Sequence, residues 1–134
     1  MCGMASMILG LTLETAPAPR SHRHSFAQAR ADSLPDGVTP AMVTKGKQVF
    51  GSQGLCFACH GPDGRGGPVG PNLTDATWLH GTGNYPEIVR RVTEGVPPAA
   101  SKTGQIMPPR GGSTINDEQV RSVAAFVWTL SKKK

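Results

Sequence analysis

Five residues, "CFACH" at positions 56–60, constrain this chain more than any other stretch. Cys56 and Cys59 stand three apart, and His60 follows directly. Three kinds of chemistry use such a pattern: a metal held by thiolate and imidazole, a redox disulfide, and covalent attachment of a haem. Each demands different surroundings, so the rest of the chain has to discriminate among them.

The chain has 134 residues, room for one domain. Its N-terminal segment differs in character from the rest, so the part expected to fold is shorter still, and small domains bury a low fraction of their surface. Glycine (17) and proline (12) are both above average usage, while the aromatics amount to one tyrosine, two tryptophans and four phenylalanines. These features predict short helices, long ordered loops and a core filled partly by something other than side chains.

The formal net charge is +5. Part of the surplus is the tail Lys132, Lys133 and Lys134, which suits the negative end of a helix dipole. The basic residues are not interleaved with aromatics, which argues against nucleic-acid binding. The charge is compatible with steering towards an acidic redox partner.

Residues 1–29 read as an atypical export leader. The apolar run Met4–Leu13 is ten residues long, short of the roughly 20 that a membrane span needs. "AQA" at 27–29 has the small-x-small form of a cleavage site. Two features depart from an ordinary signal: no lysine or arginine precedes the run, and "RSHRH" separates it from the cleavage candidate. Cys2 falls in this leader, so the remaining cysteines form no disulfide framework. The division expected is a leader over 1–29, a linker over 30–39 and a folded domain over 40–134. The expected location is periplasmic or otherwise exported, with no transmembrane span and with peripheral membrane association compatible.

Helical signals follow. Thr39 and Pro40 read as the cap and first residue of a helix running to about Phe50, with Met42, Val43, Val49 and Phe50 on its apolar side. Gly46 lies mid-helix, where glycine costs about 1 kcal/mol relative to alanine; it suggests that another element crosses closely there. "GPDGRGGPVGPNLTD" (61–75) reads as loop, with a short helix expected over Ala76–Leu79. "YPEIVRRVTEG" (85–95) has helical spacing and a terminal glycine. "VPPAASKTGQIMPPRGG" reads as a second irregular loop. Asn116 and Gln119 form a capping-box pattern, with Ile115 and Val120 as a hydrophobic staple. Val120, Val123, Ala124, Val127 and Leu130 then make one helical stripe. No segment alternates convincingly as a strand. The expected fold is all-α, with three to five short helices.

That setting bears on the cysteines. Zinc needs four ligands, and no second pair accompanies Cys56, Cys59 and His60. A thioredoxin-like redox pair needs a β-α-β unit. The remaining reading is c-type haem attachment, in which both sulfurs are bonded to the porphyrin and the adjacent histidine lies under the iron. The sixth position then has Met107 as its candidate, in a loop stiffened by Pro108 and Pro109, with His80 as the competitor. Ligation by histidine and methionine raises the reduction potential and closes the iron to substrates. Both effects favour electron transfer over catalysis.

Over roughly 40–131 the chain resembles the class I cytochrome c family. The likeness is carried by the helix with "GKQVF", then "CFACHG", "GPNL", "MPP" and "VAAFVWTLS". It is similar to small bacterial monohaem cytochromes and to the haem-c subunits of terminal oxidases. The resemblance implies an all-α cytochrome c fold around one haem c, bonded to Cys56 and Cys59, with His60 and Met107 as axial ligands. It implies that Pro71 offers its carbonyl to the free ring N–H of His60 and that Leu73 packs on the haem. It also implies that Gly46 and Phe50 meet Phe126 where the terminal helices cross. Trp78, His80, Arg65 and Arg110 are candidates to bond the propionates, with solvation or packing as the default role of each. Three functions are compatible: a free one-electron carrier, an electron-accepting subunit of a dehydrogenase or terminal oxidase, and a haem enzyme or sensor with open iron. The partners expected are redox proteins.

Overall fold

Thr39 opens the first helix, its hydroxyl accepting from the Met42 N–H at 3.2 Å and Pro40 supplying a preset first turn. This helix, α1, spans Pro40–Phe50 in the computed structural model, which describes residues 33–132. Three more α-helices follow: α2, Cys56–His60; α3, Tyr85–Glu94; and α4, Asp117–Leu130. Single 3-10 turns lie at Pro98–Ala100 and Pro109–Gly112. Among the described residues the only β pairing is an isolated antiparallel bridge between Val96 and Met107. The all-α expectation therefore holds. The leader, at residues 1–29, lies outside the described residues.

The long C-terminal helix organises the rest, with α1 and α3 both packing on α4. Its start is secured by a full capping box: the Asn116 side chain accepts from Gln119 N–H, and Gln119 Oε1 accepts from Asn116 N–H. The stripe expected from the sequence is the buried face: Val120, Val123, Ala124, Val127 and Leu130 are all in the core. α1 crosses α4 at Gly46. A Cβ there would collide with the Ser122 carbonyl oxygen and come within 2.9 Å of the Phe126 Cβ. The two backbones touch, so only glycine fits. One turn further on, the rings of Phe50 and Phe126 meet edge to face, centroids 5.4 Å apart at 68°. Burying a side chain such as Phe50 in full is worth about 1.5–3 kcal/mol. Exposed ties add to the crossing: Lys45 Nζ donates to Glu118 Oε1 at 2.6 Å, and Gln119 to Gln53 at 2.6 Å.

Two local expectations need correction, and one short helix was not anticipated. Residues Ala76–Leu79 are not helical: bends at Ala76 and Leu79 flank an irregular Thr77 and Trp78. Polar side chains there capture the backbone N–H groups that a helix would use: Asn72 Oδ1 accepts from Thr74 N–H at 2.8 Å and Asp75 Oδ1 from Thr77 N–H at 2.9 Å. Conversely, Cys56–His60 forms a short helix that no periodicity announced, too brief to carry a pattern. The second loop, over 96–112, is more ordered than its composition suggested, since the Val96–Met107 bridge and the two 3-10 turns lie in it.

No helix among the described residues is long and apolar enough to cross a membrane.

Candidate functional site

Residues three and four apart on a helix share a face, so the single turn of α2 aims Cys56, Cys59 and His60 in a common direction. All three line one large cleft. The turn is started by Leu55, whose backbone is left-handed at φ 55°, an uncommon state for a residue with a side chain. Two loops then contribute to the walls of the cleft.

On the histidine side, the loop over 61–75 folds back against α2. Gly66 N–H donates to the His60 carbonyl at 2.8 Å, and Leu73 N–H to the Gly64 carbonyl at 2.7 Å. Gly70 sits so close that a Cβ would come 2.8 Å from the Cys59 carbonyl oxygen and 3.1 Å from the His60 ring nitrogen. That approach brings in Pro71, whose carbonyl accepts a hydrogen bond from His60 Nδ1 at 2.9 Å. A carbonyl can only accept, so Nδ1 carries the proton and Nε2 keeps a free lone pair. Such a bond is the usual means of fixing the tautomer and orientation of a metal-binding imidazole. Burial lowers the His60 pKa, and the Pro71 bond opposes this only in part. The ring is therefore poised to be neutral, the form that binds metals.

Further along the chain, α3 ends at Gly95, where φ is +73° and a Cβ would collide with the Met107 carbonyl oxygen. The chain turns there into Val96, which exchanges two hydrogen bonds with Met107, at 2.8 and 3.1 Å. This pairing places half-buried Met107 on the same cleft as His60.

Between these walls lies about 1230 Å³ of space, the open mouth included. Its lining is mostly apolar, with Phe50 from α1, Ile88 and Val92 from α3, and Val123 and Val127 from α4. Leu73, expected as a cofactor contact, also lines it and packs on the core. Two thiols, an imidazole and a thioether, those of Cys56, Cys59, His60 and Met107, line this mostly apolar cleft.

The thiols argue in the same direction. Both cysteines are free and partly buried. The Cys56 thiol is pushed up to about 11, chiefly by burial, although its hydrogen bonding opposes this and Cys59 adds repulsion. A reactive redox pair needs a lowered thiol pKa, so this environment is the reverse of a disulfide oxidoreductase. Among the described residues, no three His, Cys, Asp or Glu side chains are grouped to hold a metal ion.

The candidates for binding propionates separate cleanly. Trp78 and His80 line the cleft; Arg65 and Arg110 do not. Arg110 instead donates to the Ile115 carbonyl at 2.7 Å and to Asp117 Oδ1 at 2.6 Å, tying the turn after Met107 to the start of α4. Arg65 is an exposed loop residue. Sequence reasoning missed Arg91 on α3, which does reach the cleft. Its only sequence signal was a charge beside the apolar positions of a helix, which most often marks a solvated face.

Comparison with known proteins places this geometry. Residues 43–131 match the family model described as Cytochrome c. The Cbb3-type cytochrome c oxidase subunit CcoP of Rubrivivax gelatinosus is 37% identical over 92 residues, which is 69% of this chain and 27% of that protein. The subunit FixP of Rhizobium meliloti (strain 1021) is 39% identical over 95 residues, 68% of this chain and 28% of the relative. CcoP of Helicobacter pylori (strain 52) is 31% identical over 108 residues, 79% and 34% respectively. The chain thus spans about a quarter to a third of the length of these curated relatives. No solved structure matches significantly.

Proposed function

This chain belongs to the cytochrome c family, and on that premise we propose that it carries single electrons on one covalently attached haem c, with His60 and Met107 as the axial ligands. Cys56 and Cys59 would hold the haem through their sulfurs. The bound haem supplies a one-electron ferric/ferrous couple.

The remaining work belongs to the chain. Pro71 holds the His60 ring with Nε2 free. The Val96–Met107 pair holds the thioether segment, and a thioether at the sixth position raises the potential while excluding exogenous ligands. The apolar walls keep water from the cofactor and leave little polar material to reorganise when the charge changes. The observation that carries this reading is the convergence of Cys56, Cys59, His60 and Met107 on one apolar cleft. The apolar run at 4–13 and the "AQA" sequence at 27–29 support work outside the cytoplasm, in a periplasm or an equivalent exported location.

The optical spectrum of the matured protein tests the assignment. Haem should resist acid–acetone extraction at one per chain, and the ferric form should show the weak near-red band of methionine–iron ligation. Met107→Ala should abolish that band, lower the potential and let carbon monoxide bind the reduced form. A Met107→Ala protein with an unchanged band would mean that another residue closes the iron.

A second reading is favoured by the relatives, which are named as subunits of cbb3-type oxidases. In it, this domain accepts electrons within a larger complex rather than diffusing freely. Purification from native membranes and soluble extract separates the two: retention with a catalytic subunit supports the complex, and a free soluble protein the carrier.

A further inference from the structure

Among the described residues, two residues other than glycine have a positive φ: Leu55 at 55° and Arg110 at 54°. A side chain makes this left-handed state costly, whereas glycine adopts it freely. The two residues after Arg110 meet the same demand with glycine, Gly111 at φ 67° and Gly112 at φ 76°. Arginine at this position therefore keeps a strain that a third glycine would remove. Such strain persists only where the surrounding structure overrules it.

The overruling bonds run to the start of α4. Nη1 of Arg110 donates to the Ile115 carbonyl at 2.7 Å, and Nη2 to Asp117 Oδ1 at 2.6 Å. The Arg110 carbonyl accepts from the Ser113 hydroxyl at 2.6 Å and from the Ser113 N–H at 3.2 Å. The same turn is seated against the approach to α2. A Cβ on Gly111 would come 2.8 Å from the carbonyl oxygen of Gly54, the residue before Leu55. Towards Met107 the chain has only Pro108 and Pro109, whose rings lock φ. A displacement of Arg110 is thus passed to Met107 with little slack.

We propose that Arg110 is a positioning residue, anchored on the start of α4, that restrains Met107 in the sixth-ligand role through the rigid Pro108–Pro109 link. The inference rests on the haem reading above. It needs no contact between Arg110 and the cleft, which Arg110 does not line.

The test uses matured holoprotein carrying Arg110→Gly, Arg110→Lys or Lys45→Gln. The last removes the other ion pair to the start of α4, Lys45–Glu118, which comes from α1 instead of the Met107 segment. Arg110→Gly relieves the strain and removes the anchor together. Carbon monoxide should bind its reduced form about tenfold faster, as expected when a charged hydrogen bond that holds the closed form is lost. On heating the ferric form, the near-red band should vanish further ahead of helicity than in wild type, the mark of a local opening. Arg110→Lys keeps the charge without the planar fork that serves two acceptors, so it should fall between wild type and Arg110→Gly in both readouts. Lys45→Gln should leave carbon monoxide binding at the wild-type rate. The positioning role would be refuted if Arg110→Gly bound carbon monoxide at the wild-type rate, if it kept the wild-type gap between band and helicity, or if Lys45→Gln matched it. Should Arg110→Gly fail to mature, Arg110→Lys decides: faster binding supports the role, and wild-type binding overturns it. A wild-type protein without the near-red band would sink the Met107 assignment and this inference together, whereas a normal wild-type band with unchanged variants sinks this inference alone.

Discussion

Gly46 shows how much one residue can hold. In isolation it weakens α1, because glycine is a poor helix former. In the fold it permits the backbone contact with Ser122 and Phe126 on which the crossing depends. Gly46→Ala should therefore destabilise the holoprotein by about 1–3 kcal/mol, the usual cost of overpacking, despite the better helix propensity of alanine. Gly51→Ala is the control, since its Cβ would lie 3.7 Å from the Lys47 carbonyl oxygen, an ordinary contact. Denaturant unfolding of both variants checks the contrast, and equal stabilities would refute the close-contact account. Gly46 was readable as an anomaly from the sequence, because its placement defied its propensity. Arg91 was not readable, because an arginine on a helix looks the same whether it faces solvent or a cleft.

At the scale of elements, the caps were legible and the loops were not. Thr39, Asn116 and Gln119 act within their own first turns, so local sequence suffices to find them. The path of 96–112 depends instead on contacts with α3 and α4. The Arg110–Asp117 pair shows this, joining the turn after Met107 to the first residue of α4. Hydrogen bonding to Arg110 and its charge hold the Asp117 carboxyl below its usual range. A carboxyl with a depressed folded pKa contributes stability above its unfolded value, about 3.9, and that stability is lost as pH falls through the folded value. Thermal melting of wild type and Asp117→Asn should accordingly differ at neutral pH and converge on acidification below about 4. A gap that stayed constant down to the lowest pH would show that the pair is not its source. The same logic explains the missing helix at Ala76–Leu79: Asn72 and Asp75 compete for backbone donors at close range, a contest that apolar spacing does not reveal.

The whole molecule is a thin protein shell around a cofactor-sized cleft. α1, α3 and α4 bury a real core, yet Phe50, Ile88, Val92, Val123 and Val127 also face the cleft. Without haem, those residues lose contacts on one side, and a small domain has little surplus stability to absorb the loss. Replacing both Cys56 and Cys59 by alanine should leave a protein with reduced helical circular dichroism and no cooperative melting. If that double variant retained wild-type helicity and a sharp transition, the shell would be self-sufficient and the cofactor's structural role would fall. From sequence alone, the haem-binding pattern, the three capped or spaced helical signals that begin at Pro40, Tyr85 and Asp117 and the all-α class could be settled. Each of these depends on residues within a turn or two of one another, where stereochemistry links spacing directly to geometry. The family resemblance anticipated that Pro71 meets His60, but only the tertiary structure could decide that Gly95 lets Met107 approach and that Arg91 rather than Arg65 or Arg110 reaches the cleft. Those outcomes depend on loops whose course is set by contacts between distant segments, and no local pattern encodes where such segments meet.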